Sequence, residues 1–238
     1  MASRIRILGI IIAVVGVLFV AAGAFAYIKA QEGVASLQAY SAEQNVMLSY
    51  NDEGILVDGG ETAEAEAIMS LLVNDWKYPV NQADLDPNDP LVNTASEYMY
   101  QMATINYHIL SGTQTVILTE DKEFNGEVIP AGTYEFLVDG RYYADFNRAN
   151  PIEGAARGQA WSATALGLIA NLGIGTTTAS ALQLALAVAG LFAAIGALVF
   201  FTGIGLVWAS RAPVRVPAES LRTTIATPGV APAPVASR

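Results

Sequence analysis

Cysteine is absent from all 238 residues, histidine occurs once, and only 14% of the chain is charged. The first absence excludes structural disulfides, thiolate chemistry and a lipid-modified cysteine. The second excludes, within one chain, any metal centre that needs two or more imidazoles. Scarcity of charge beside 53% hydrophobic residues is unusual for a soluble domain and places part of the chain in lipid.

Two runs supply that excess. "ILGIIIAVVGVLFVAAGAFAYI", from Ile7 to Ile28, contains no charge. At about 1.5 Å per residue it reaches across the ~30 Å hydrocarbon core of a bilayer. "ALQLALAVAGLFAAIGALVFFTGIGLVWA", from Ala181 to Ala209, is longer and spans with tilt or with a turn in water. Arg4 and Arg6 precede the first run, and Arg211, Arg215 and Arg222 follow the second. Positive charge at both ends predicts two cytoplasmic termini. The expected organisation is therefore a multi-pass plasma-membrane protein: a cytoplasmic N-terminus over 1–6, transmembrane helices over 7–28 and 181–209, an extracytoplasmic domain over 29–180 and a disordered cytoplasmic tail over 210–238. A cleaved signal peptide is the rival for the first segment, since Ala24-Phe25-Ala26 resembles a cleavage site. The run exceeds the ~7–15 residues of a usual signal core.

Small residues recur every seven positions in both runs, as Gly9, Gly16 and Gly23 and as Ala189, Gly196 and Gly203. Such a seam lets helix backbones approach closely in lipid at a crossing of about 20°. It predicts an antiparallel pair within the chain, with a homo-oligomer or a membrane-protein partner on the same seam as the alternative. Between the runs, from Gln31 to Leu182, 21 Asp or Glu stand against Lys77, Lys122, Arg141, Arg148 and Arg157, a net charge of −16. Nucleic acid is excluded as a partner, because a phosphate backbone would be repelled.

The intervening pattern is α+β. "NVMLSYNDEGILVDGG" reads as short strands with a hairpin at Asp58-Gly59, and "ETAEAEAIMSLLV" as a helix from Glu61. From Pro90 to Ser111, Leu91, Ala95, Tyr98, Met102, Ile105 and Ile109 step by four and three, the spacing of a helix with one buried stripe. Asn93, Glu97, Gln101, Thr104 and His108 mark its polar side. "TQTVILTEDKEFNGEVIPAGTYEFLVDGRYYADF" is rich in β-branched and aromatic residues and predicts a small antiparallel meander. A further helix is expected from Pro151, with "WSATALGLIANL" pausing at Gly173 and lying against the membrane surface or the domain core.

"QADLDPNDPLV" holds the densest chemistry. Asp84, Asp86 and Asn88 take the first, third and fifth places of a calcium loop. Its sixth place, which needs Gly, is Asp89, and its twelfth, which needs Glu, is Ala95. A standard calcium hand is excluded, and Asp84, Asp86 and Asp89 are left as a weak cation site at most. The competing reading makes Asp89-Pro90 a helix cap and first helical residue. "ADLDPNDPL" at 83–91 returns as "ADFNRANPI" at 144–152, and "LVDG" occurs at 56–59 and at 137–140. An internal duplication over 56–112 and 137–173 is the expectation, each copy carrying an Asp/Asn-Pro helix start, with chance similarity of short turn motifs as the alternative. Tyr98, Tyr100, Tyr107, Tyr134, Tyr142 and Tyr143 are candidates for an aromatic pocket.

With these residues in view, the chain resembles a group of actinobacterial two-span membrane proteins often named "aromatic ring-opening dioxygenase LigA". The likeness rests on Val57, Gly59, Thr62, Ala63, Ala65 and Ala67, on Asp89 and Pro90, and on the two flanking spans. Ring cleavage by non-haem iron requires two His and a carboxylate, so one His does not support that name. The resemblance implies a cell-envelope membrane protein, and the enzyme name is not carried over. No catalytic, cofactor-binding or metal residue is expected, and the function read from the sequence is a structural or accessory scaffold, with a small-ligand or cation-binding module as the alternative.

Overall fold

The computed structural model describes residues 2–211, so the expected tail beyond Arg211, with Arg215 and Arg222, lies outside the described residues. The chain is mixed: five α-helices and two small antiparallel sheets among those residues. It divides into a unit of Met1–Ala21 with Ala193–Arg238 and a unit of Ala22–Phe192.

Two helices dominate. α1 runs Ala2–Gln44 and α5 runs Ala163–Ala209, and each is long and apolar enough to cross a membrane. Both continue well past the apolar runs, because neither contains a proline and straight-chain or small residues carry the helix onward. The expected pause at Gly173 does not occur. Gly173 and Gly175 are helical, and the hydroxyls of Thr176 and Thr177 donate to the Leu172 and Gly173 carbonyls at 3.1 and 2.9 Å. The break falls earlier, at Trp161-Ser162, where Ser162 Oγ accepts from Ala165 N at 3.3 Å. "WSATALGLIANL" is thus the start of the longest helix rather than a separate surface segment.

In the first unit the glycines of the seam meet within one chain. A Cβ on Gly9 would lie 2.8 Å from the Gly203 carbonyl oxygen, and one on Gly196 would lie 2.8 Å from that of Gly16. No side chain fits there, which is the close backbone approach that packs helices in lipid.

In the second unit α2 (Thr62–Ser70) ends in a π-helical turn, Leu71–Asp75, and stops where Lys77 takes φ 57. α3 runs Ala95–Ser111, later than the Pro90 start expected from spacing. Leu48, Ile68, Leu72, Val92, Tyr98, Tyr100 and Ala103 form one core with these helices. A second core gathers Ile109, Val138, Phe146, Ala160 and Trp161. The two are linked by Tyr142, whose ring stacks on Trp161 and whose hydroxyl accepts from Trp76 Nε1 at 2.9 Å.

The expected meander is a nested ribbon instead. β1 (Thr113–Leu118) pairs with β4 (Gly132–Leu137), and β2 (Lys122–Phe124) pairs with β3 (Glu127–Ile129) inside that loop. Asn125 and Gly126, at φ 53 and 82, make the tight turn. Pro130 has no N–H for the ladder, and Asp121 takes the Ala131 N–H at 2.8 Å, so the ribbon is interrupted there. α4 (Pro151–Ala160) packs on the inner face, with Ala156 buried beside Val116 and Leu118. The strands expected over residues 45–60 are reduced to single bridges such as Tyr50 with Leu56.

Two substitutions test this packing through thermal unfolding in mild detergent. Gly16→Leu is expected to lower the midpoint strongly, since its Cβ would enter the Phe200 backbone, whereas Gly205→Ala, with nothing within 4 Å, is expected to leave it unchanged. Asn150→Ala removes the acceptor for Ile152 N and Glu153 N and should cost about 1 kcal/mol.

Candidate functional site

Three helices of the second unit line an open cavity of about 810 Å³. α1 contributes Gly33, Ser36, Leu37, Tyr40, Ser41 and Gln44, which step by three and four along one helical face. α5 contributes Leu168, Asn171, Leu172, Gly175, Thr178 and Leu182 at the same kind of spacing, with Ile174 beside them. Tyr98, Gln101 and Ile105 of α3, with Val46 and Val92, complete the wall.

The cavity exists because of one large ring among small residues. A Cβ at Gly175 would lie 2.6 Å from Tyr98 Cε1, so the phenol ring lies flat on the glycine backbone of α5. Its hydroxyl pairs with Ser41 Oγ of α1 at 2.6 Å, and both residues are buried. Tyr98 thereby ties three helices at one point. At Gly33 the two long helices are close, a Cβ there standing 2.5 Å from Leu182 Cδ2.

Among the described residues, no charged side chain lines the cavity. Its walls are aliphatic and aromatic, with hydroxyls and three carboxamides as the polar groups. The carboxamides of Gln44, Gln101 and Asn171 come from three different helices and have no hydrogen-bond partner among the described residues. Such a site can hold an uncharged, mainly apolar molecule and offer it donors and acceptors at one end.

The sequence-derived candidates lie elsewhere. Asp84 Oδ1 accepts from Asn81 Nδ2 at 2.7 Å, and Asp86 Oδ1 accepts from the Asn88 N–H at 2.8 Å and from its side-chain amide at 2.9 Å. These bonds, the backbone one above all, hold the Asp86 carboxyl below the usual carboxylate range. Asp89 N returns to the Asp86 carbonyl at 3.0 Å, closing a turn rather than starting a helix. Among the described residues, no three His, Cys, Asp or Glu side chains gather as metal ligands.

The cap of α3 is Thr94, not Asp89. Thr94 Oγ1 accepts from Glu97 N, while Glu97 Oε2 accepts from the Asn93 and Thr94 N–H groups at 3.0 and 2.8 Å. "TASE" is a capping-box signature visible in the sequence, and the Asp-Pro pair upstream had masked it. The echo at 144–152 keeps the turn: Asn147 Oδ1 accepts from Ala149 N, and Asn150 N returns to the Asn147 carbonyl, as Asp86 and Asp89 do. Only in the second copy does the next residue pair, Asn150-Pro151, also cap a helix.

The polar side assigned to α3 is likewise corrected. Glu97 is 1% exposed and Gln101 and Thr104 are half-buried, and Asn106, outside that stripe, is buried as well, because α3 packs on several faces. His108 is exposed as expected, with Nε2 2.6 Å from Asp58 Oδ2. The six tyrosines do not form one pocket. Tyr98 lines the cavity, and Tyr100 is in the first core, where burial and then Asp58 and Tyr50 push its phenol up from its usual pKa. Tyr143 lies under the Arg157 guanidinium at 4.0 Å. No family model, curated protein or solved structure matches the chain.

Burial raises the Glu97 carboxyl above its ordinary value, against the hydrogen bonds that lower it. The folded state therefore holds this proton more tightly than the unfolded chain. The resulting stabilisation is complete below the ordinary glutamate pKa of 4.5 and is lost as pH rises through the raised folded value. Glu97→Gln keeps the cap acceptor and should remove this pH dependence, whereas Glu97→Ala leaves two N–H groups unpaired and should cost about 1–3 kcal/mol at all pH values. Unfolding midpoints of the three proteins from acid to neutral pH decide it; parallel profiles for Glu97→Gln and the parent would refute the assignment.

Proposed function

We propose that this is a two-pass membrane protein, with both termini cytoplasmic, whose domain between the spans is a binding module for a small, uncharged, mainly apolar ligand. The observation that supports the reading is the cavity of about 810 Å³ shared by α1, α3 and α5. Its size lies within the ~300–1,000 Å³ of small-molecule sites, and its lining of apolar walls with a few polar groups is that of such sites. Charged metabolites are disfavoured, because desolvating a charge in a wall without a countercharge is costly. The absence of paired nucleophile and base around the cavity favours binding over catalysis, and the likeness to two-span membrane proteins points the same way.

An accessory role in the cell envelope is the second reading, resting on the acidic surface from Gln31 to Leu182. Copurification of a stoichiometric membrane partner with an empty cavity would favour it. The binding reading is tested in nanodiscs through the cysteine-free background. Thr178→Cys carries an environment-sensitive dye into the wall, and titrated dodecanol is expected to shift its emission saturably. Gly175→Leu, which drives the Tyr98 ring across the space, should abolish the saturable phase. A response that grows linearly with dodecanol in both proteins would sink the reading.

A further inference from the structure

We infer that the ligand of this cavity is a bilayer lipid, drawn up from the adjoining leaflet with its acyl chain along the slot and its polar end at the carboxamide rim. The inference rests on the binding reading above and adds the source and orientation of the ligand.

Three observations carry it. The first is length. Along α1 the slot runs from Gly33 to Gln44, which at ~1.5 Å per residue is about 17 Å. One leaflet of a ~30 Å hydrocarbon core is about 15 Å deep, so a single extended acyl chain matches the slot.

The second is polarity along that length. Gly33 and Leu182 close the slot at the end nearest the apolar runs, and Leu37, Leu172, Ile174 and Tyr98 line its middle. Ser36 and Thr178 add hydroxyls near the Leu182 end, while the carboxamides of Gln44, Gln101 and Asn171, with Val46 and Leu168 beside them, lie toward the other end, where Gln44 and Asn171 are exposed to water. Carboxamides without internal partners can donate to the uncharged ester oxygens of a lipid, and because Gln44 and Asn171 are exposed the charged headgroup beyond them stays in water, so only the uncharged part of the molecule enters the cavity. The gradient has the polarity of a lipid in its own leaflet, so the molecule slides along its axis and does not invert.

The third is continuity. Within the same unit the helices leave the slot as exposed apolar surface: Phe25 and Ile28 on α1, and Leu184, Val188 and Leu191 on α5. An acyl chain moving from this face to the slot stays on apolar contacts throughout and exposes little new surface to water.

The test again uses the missing cysteine. Asn171→Cys and Thr178→Cys are labelled separately with a bimane fluorophore in nanodiscs that contain phosphatidylcholine carrying a nitroxide either on the headgroup or near the end of one acyl chain. The headgroup nitroxide is expected to quench the dye at residue 171, and the chain-end nitroxide the dye at residue 178. Both signals should be lost on adding Ile105→Trp or Gly175→Leu, which fill the slot; unfolding midpoints near that of the parent identify the filled variant that is folded and is used. Saturable dodecanol binding without quenching at residue 171 overturns the lipid while leaving the binding module. Quenching at residue 171 that persists in the folded filled variant also overturns it, as surface contact only. Absence of both dodecanol saturation and quenching overturns both readings.

Discussion

The cavity of the second unit depends on one contact, the Tyr98 ring on the bare backbone of Gly175 with its hydroxyl on Ser41. The ring needs a glycine, because any Cβ at residue 175 would enter it. The buried hydroxyl needs a partner, and Ser41 supplies one from a third helix. A residue smaller than tyrosine would let the helices close, and one without a hydroxyl would leave Ser41 unpaired. The same ring is thus wedge, spacer and wall. The cavity is held open by packing rather than by charge, consistent with a lining that contains no ionisable carboxylate or ammonium.

Around that contact the fold handles polarity by local satisfaction. Glu97 is buried, yet its carboxylate closes the first turn of α3, so the cost of burial is offset by two backbone N–H groups. Asp86 and Asn147 each organise a turn by accepting from the residue two positions on. The strong negative charge of the chain between the two apolar runs is spread over such turns and over exposed surface, and among the described residues only Lys29, Lys122 and His108 stand within ion-pair distance of a carboxylate. Arg141 and Arg157 lie over aromatic rings instead.

Much of this was legible from the residues. The two apolar runs, the helix at 62–70, the Asn125-Gly126 turn and the Asn150-Pro151 helix start follow from composition, periodicity and turn chemistry that act within a few residues. The errors have a common cause. Asp89-Pro90 carries the same local signal as Asn150-Pro151, but Pro90 gives its carbonyl to Leu48 N, and Leu91 bridges to Met47, so the chain stays extended until Thr94. The pause expected at Gly173 fails because packing of the long helix, with Gly175 against the Tyr98 ring, outweighs the weak helix propensity of glycine. The meander became a nested ribbon because Pro130 and Asp121 interrupt a ladder that alternation alone cannot register.

Composition and local pattern alone establish that two segments are long and apolar enough for lipid, that no thiol is present, and that the intervening chain is acidic and mixed in structure. These properties depend on counting residues and on forces that reach one or two turns. That Ser41, Tyr98 and Gly175 meet, and that Gln44, Gln101 and Asn171 line one cavity, depends on how the helices pack. Each of those residues is unremarked in its own segment, and the cavity they make belongs to no segment. It arises where three helices fail to close, a property of their packing rather than of any one stretch of chain.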